Sequence, residues 1–179
     1  YSFIREGSRQ SISPMGLSSQ GYNGHIFWDT ELWMYPSLLA LQPEMAKSCL
    51  DYRSDRLQKA KLKAFIYGYD GAMYPWESDD TGEEATPTSA SMGIFEQHIT
   101  ADVSIAFWNY YTLTQDKKWL REEWKVIKET ADFWISRVAK NTDGSYSIFN
   151  VVGADEYALN VDDNAFTNAA AIESLKNTI

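Results

Sequence analysis

The chain is poor in the residues that build metal and redox sites. In 179 residues it has one cysteine, Cys49, and two histidines, His25 and His98. A lone cysteine cannot close an internal disulfide. No CxxC or HExxH spacing occurs, so no transition-metal site is expected. Basic residues are also scarce. Sixteen Lys and Arg stand against 25 Asp and Glu, a formal charge of -9. Such a surface repels nucleic-acid phosphates and anionic lipid, so neither nucleic acid nor membrane is an expected partner. No run is apolar for long enough to span a bilayer, and no signal peptide opens the chain. The expectation is a soluble protein of the cytoplasm or periplasm, with the compartment left open. The chain begins at Tyr1 and stops inside a helical pattern at Ile179, which reads as a piece of a longer protein.

What is abundant is aromatic. Phe, Trp and Tyr make up 15% of the chain, with seven Trp and eleven Tyr. Three clusters place rings beside carboxylates: Phe27-Trp28-Asp29-Thr30-Glu31, Tyr74-Pro75-Trp76-Glu77, and Gly153-Ala154-Asp155-Glu156-Tyr157. Rings suit the apolar faces of a sugar, and carboxylates suit its hydroxyls and proton transfer. Two adjacent carboxylates beside a ring also favour a general acid, because like charge and partial burial hold its proton on.

Between the clusters the pattern is helical. Residues 1 to 26 are Ser- and Gly-rich and read as a loop. A first helix starts near Thr30 or Glu31, with Asp29 and Thr30 as candidate caps; Pro36 is tolerable only in its first turn. A second runs from Pro43 to about Phe65, with Pro at its favoured first position. After a long connection from Gly68 to Gln97, a third runs from about Thr100 to Thr114. A fourth, about Lys117 to Ala139, carries the stripe Leu120, Trp124, Ile127, Ala131, Trp134 and Val138, and its two Trp are read as core. Asn141 to Gly144 is a turn, Ser145 to Val152 suits a short strand, and a fifth helix opens near Asp162 or Asp163. Connections alternate short and long, which puts every long loop at one end of an antiparallel array. All three clusters should therefore open at that end and form one site. The fold class is all-α: helical hairpins making about half of a closed ring, with a repeat solenoid as the alternative.

Four stretches carry a resemblance. They are Gly21-Tyr22-Asn23-Gly24-His25-Ile26-Phe27-Trp28-Asp29-Thr30-Glu31, Gly71-Ala72-Met73-Tyr74-Pro75-Trp76-Glu77-Ser78, Glu96-Gln97-His98-Ile99-Thr100-Ala101-Asp102, and the Asp155-Glu156-Tyr157 block. In this order they resemble the catalytic domain of glycoside hydrolase family 65, an (α/α)6 barrel whose members include inverting phosphorylases of maltose, trehalose and kojibiose and plain α-glucoside hydrolases. The resemblance implies that residues 1–179 form a single partial domain, the N-terminal half of that barrel. It implies Glu156 as the general acid, Trp28 and Asp29 as contacts to the non-reducing glucose, and Trp76 and Glu77 as further contacts to the same sugar. Asp155 is expected to orient or hydrogen-bond rather than donate the proton, and His98 to stand behind the contact residues. Ala154, Asp163 and Phe166 depart from the residues many members carry there, which touches subgroup rather than chemistry.

The implied substrate is an α-linked glucose disaccharide or oligosaccharide, with kojibiose the first choice. Hydrolysis is favoured on the Pro75-Trp76-Glu77-Ser78 and Gly82-Glu83-Glu84 stretches. A phosphorylase would need no cofactor but would take inorganic phosphate as co-substrate and release glucose 1-phosphate. The family's base or phosphate loop lies well beyond the acid in sequence. Two readings from other classes stand beside this one. A non-catalytic sugar-binding helical module explains the aromatics and acidity equally well. An α-helical ring lyase would use His25 or His98. The run Asp79, Asp80, Glu83, Glu84 reads as a solvated acidic loop with no site role. The helix faces meant for the other half of the barrel should drive self-association, and the isolated piece should be inactive.

Overall fold

The computed structural model describes residues 4–16 and 21–179. The expected loop over residues 1 to 26 is irregular where described, apart from one left-handed 3-10 turn at Gly21–Gly24, with residues 1–3 and 17–20 outside that description. The rest is built almost wholly of helices, in the order α1 (Tyr35–Leu41), α2 (Pro43–Asp55), α3 (Leu57–Ile66), α4 (Met92–Phe95), α5 (Ile99–Thr114), α6 (Lys117–Arg137) and α7 (Ala165–Lys176). The one sheet among the described residues is a short hairpin, β1 (Ala139–Lys140) paired antiparallel with β2 (Tyr146–Ser147).

α5 is the central element. Its buried residues, among them Ile99, Ala101, Val103, Ala106, Phe107 and Tyr110, lie around most of its circumference. A helix that is apolar all round must be covered all round, and α5 packs against α2, α6 and α7. α1 packs on α2, and α3 and α7 pack on α6. Connections of one residue (Gln42) and two (Gln115 and Asp116) join the hairpins. Gln115 turns the chain at φ 56°, and Asp116 caps α6 by accepting from the Lys118 and Trp119 amides.

Several expected details are corrected. The second helix is two, broken at Arg56 (φ -99°, ψ 8°). There the guanidinium lies 3.6 Å from the Tyr52 ring centre and donates to the Asp80 carbonyl. Pro36 falls in the first turn of α1, as expected, although α1 is not where the helical run begins. A π-turn over Thr30–Met34 precedes α1 without interruption; its wider ladder, with Tyr35 N–H reaching the Thr30 carbonyl, admits a residue that has no N–H to offer. The last helix opens at Ala165 behind an Asn164 cap rather than at Asp162 or Asp163. Those two aspartates instead accept from the Asn150 and Ile148 amides. The expected strand is confined to Tyr146–Ser147 and a single bridge, Val151 to Val161.

The stripe on α6 is rotated at its N-terminal end. Trp134 is fully buried as expected, but Trp124 is 37% exposed and Trp119, off the expected stripe, is 5% exposed. Trp119 stacks on Phe107 (5.7 Å, 24°) and touches Tyr110 at 4.4 Å. The chain reaches α6 through Gly71, whose φ of 68° and closeness to the helix leave no room for a side chain: a Cβ there would lie 2.1 Å from the Glu129 carbonyl. Truncating Trp119 to Ala should cost about 3–5 kcal/mol as a core cavity, and Trp124→Ala less than about 1 kcal/mol. Denaturant titration of both variants would check the order; equal losses would contradict the packing described.

Candidate active site

The segments ahead of α1, α5 and α7 meet at one end of the helices, as the alternating connections imply. Trp28, just before the π-turn, lies edge-on to His98 at the start of α5 (4.9 Å). Phe166, in the first turn of α7, contacts both His98 (4.7 Å) and Trp28 (6.2 Å). The second cluster is tied to the first by an isolated bridge between Ile26 and Ser78, with N–H···O distances of 2.9 and 2.8 Å. Phe27 meets Trp76 edge-on at 5.0 Å. The third cluster is held by Val152 N–H donating to the Phe95 carbonyl at 3.0 Å. Its loop is closed at the base by the Val151–Val161 bridge. Gly153 is required there, since a Cβ would fall 2.4 Å from the Asn164 side chain that caps α7.

Within this frame the carboxylates divide by partner. Glu31 turns inward to a bidentate pair with Arg53 (2.7 and 3.0 Å), and both are buried. Asp29 stays half-buried and makes no capping hydrogen bond, so the expected helix-capping role is not taken up. Burial, with Glu31 nearby, raises its pKa. Glu77 is buried, with Oε1 2.7 Å from His25 Nδ1. Asp155 is exposed, and its Oδ1 accepts the Tyr157 amide at 3.1 Å, ordering the loop. Glu156, between Asp155 and Tyr157, is half-buried. Burial and the neighbouring Asp29 charge raise its pKa, against the opposing charge of His98. Trp28 and Trp76 are each only 9% exposed, so both are walls of the site rather than open platforms.

His98 has no exposure and both ring nitrogens are engaged: Nδ1 lies 2.7 Å from Asp102 and Nε2 3.0 Å from Glu96. Burial opposes its charge, but these two hydrogen bonds outweigh burial and lift its pKa to about 9. A ring so clamped cannot exchange protons with a substrate, which removes His98 from the lyase reading. Glu96 is a site residue that the sequence does not single out. It is 1% exposed, and burial raises its pKa against the hydrogen bonds from His98 and the Trp76 indole. Glu96 lies inside one of the four motifs, but nothing in its local pattern marks it apart from the helix start. Among the described residues no group of three or more His, Cys, Asp or Glu could hold a metal ion, and no helix is long and apolar enough to cross a membrane.

Comparison with known proteins gives a consistent picture. Residues 2–179 match the glycosyl hydrolase family 65 central catalytic domain. The chain is 59% identical over 177 residues to the kojibiose hydrolase of Flavobacterium johnsoniae, covering 98% of this chain and 26% of that protein. It is 45% identical over 175 residues to the kojibiose phosphorylase of Halothermothrix orenii, covering 90% and 22%. A solved structure described as "Putative kojibiose phosphorylase from human microbiome" superposes with a TM-score of 0.88 at 28% identity, over 97% of this chain and 26% of that one. The chain thus spans about a quarter of the length of the curated relatives it matches.

Because His98 is held as a cation, its contribution to stability is complete below its unfolded pKa near 6.5 and is lost as pH rises through about 9. Unfolding free energy should therefore fall between those pH values, with the His98 ring resonances titrating near the upper one. Titration near 6.5 with flat stability would contradict the clamp.

Proposed function

The chain belongs to glycosyl hydrolase family 65, and from that premise we propose that it forms part of the (α/α)6 catalytic barrel of an inverting enzyme that cleaves α-linked glucosides. Glu156 is its general acid. The observation that carries this is the placement of Glu156, half-buried on a closed loop beside Asp29 and His98. A carboxyl that keeps its proton can hand it to a departing glycosidic oxygen. Asp29, free of any capping bond, and Glu77 are the polar groups offered to sugar hydroxyls. Trp28 and Phe166 bound the apolar side. Asp155 orders the acid's loop.

An inverting hydrolase also needs a carboxylate that activates water on the opposite face, about 6.5–9.5 Å from the acid; in a phosphorylase, inorganic phosphate attacks instead. We place that group outside residues 1–179, as the family resemblance does. Hydrolysis is the favoured branch, because kojibiose hydrolases match at 59% and 58% identity against 45% for the phosphorylase from H. orenii. The substrate is then an α-linked glucose disaccharide, kojibiose first. The sugar-binding-module reading gives no reason for a half-buried carboxyl with a raised pKa at the meeting point of three loops.

Incubating the full-length protein with α-linked glucose disaccharides, with and without phosphate, tests this. Glucose without phosphate supports hydrolysis; glucose 1-phosphate formed only with phosphate makes it a phosphorylase; no cleavage removes the enzymatic reading. Glu156→Gln should lower kcat by roughly 10²–10⁴-fold with unchanged melting. Wild-type turnover in that variant would remove Glu156 as the acid. The isolated 179-residue chain should show no turnover and should self-associate in light scattering.

The pH profile offers a second test. Asp29→Asn removes a like charge beside Glu156, so the basic limb of kcat/KM should move to lower pH, while the wild-type limb lies above the ordinary carboxylate range. An unmoved limb would break the link between the two residues.

A further inference from the structure

The connection between α3 and α4 carries four closely spaced acids, and three act locally or at the surface. Asp79 Oδ1 accepts from the Thr81 and Glu83 amides and the Thr81 hydroxyl, at 2.9, 2.9 and 2.8 Å. Asp80 is exposed, and its backbone carbonyl receives Arg56. Glu83 is exposed and pairs with Lys59.

Glu84 differs from all three. Its Oε2 accepts the Trp76 amide at 3.0 Å and its Oε1 the Glu77 amide at 3.0 Å. The Thr86 hydroxyl donates to Oε1 at 2.6 Å. The Lys63 ammonium donates to Oε2 and also to the Gly93 carbonyl, the latter at 2.9 Å. Lys63 is buried, at 8% exposure, on α3. Gly93 keeps the approach open, since a Cβ there would lie 3.3 Å from the Glu84 carboxyl carbon and 2.8 Å from Thr86. Two successive amide N–H groups form an anion-binding concavity. Here a carboxylate of the same chain fills it, with charge-assisted bonds on both oxygens.

We infer that Glu84 is the positioning residue for the Trp76–Glu77 pair. It fixes the main chain at those two positions to α3 through Lys63, while the Glu77 side chain is held separately by His25. The Trp76 indole and the Glu77 carboxylate are thereby aimed from a backbone that cannot rotate. The inference rests on the reading of Trp76 and Glu77 as sugar contacts. An amide in place of the Glu84 carboxylate would turn an –NH₂ toward either a backbone N–H or Lys63, releasing one end of the clamp.

The test uses the full-length protein with wild type, Glu84→Gln, Glu84→Asp and Glu77→Ala. Both members of the pair are read as holding sugar in ground and transition state alike. Glu84→Gln should therefore raise KM for the disaccharide by about tenfold and change kcat much less. Glu84→Asp, which keeps the charge but shortens the reach, should fall between. Amide hydrogen exchange over residues 74–79 should be faster in Glu84→Gln, a readout that does not depend on turnover. Should Glu84→Gln misfold, the Glu84→Asp protein carries both measurements. Wild-type KM and wild-type exchange in a folded Glu84→Gln protein would overturn the inference while Glu77→Ala remains impaired. Absence of turnover in the wild type would strike the proposed activity instead, and exchange alone would then decide whether Glu84 holds the segment.

Discussion

The arrangement hangs on a buried ionic triad, Glu96–His98–Asp102. None of the three is more than 1% exposed. Burying charge costs several kcal/mol per ion unless each is paired, and here the imidazolium is paired on both nitrogens. The consequence is geometric. The ring cannot turn, so its edges and faces become fixed surfaces against which Trp28 and Phe166 are seated. Three segments distant in sequence are brought to one place by one side chain at the head of the central helix. A second buried pair, Arg53 with Glu31, secures the first of those segments from beneath, and Arg53 also reaches the Phe27 carbonyl at 3.3 Å.

Above this base the candidate site sits on loops rather than helices, and the loops are tied to one another by main-chain bonds as well as by side chains. One bridge joins Ile26 to Ser78, one closes the Glu156 loop at Val151 and Val161, and one amide ties Val152 to Phe95. Catalytic groups on loops over a rigid frame are a common division of labour. Here it also separates electrostatic duties. Carboxylates that face cations in the core, Glu31 and Asp102, are committed to structure. Burial raises the pKa of Asp102 as it does those of Asp29 and Glu156, but only Asp102 is hydrogen-bonded to a cation.

Much of this is legible in the sequence, and the parts that are not have physical causes. The helices stand out because an apolar period near 3.6 sustained over many residues fits an amphipathic helix and does not fit a strand. The shared end of the three clusters follows from alternating connection lengths. The register of α6 is ambiguous because Trp119 and Trp124 both border an apolar stripe, and only the rings of α5 decide which is covered. The break at Arg56 has no Gly or Pro to announce it; it comes from a side chain reaching a carbonyl 24 residues away. Glu84 and Glu96 escape notice for the same reason. A carboxylate in an acidic run or at a helix start looks solvated until the partners that surround it, Lys63 and His98, are placed in space.

The Ile26–Ser78 bridge has a bearing on the order in which the chain acquires its shape. Helix pairs such as α5 and α6 are joined by two residues and can zip together from local contacts, which form early. The bridge joins residues 52 positions apart, and the His25–Glu77 contact spans the same interval. During synthesis the ribosome delivers the first aromatic segment well before its partner, at about 5–20 residues per second. For a span of seconds, Trp28 and its neighbours wait without the walls that later enclose them. The residues proposed to grip a sugar thus include apolar surface that the nascent chain must shelter until partners 52 positions further on are made.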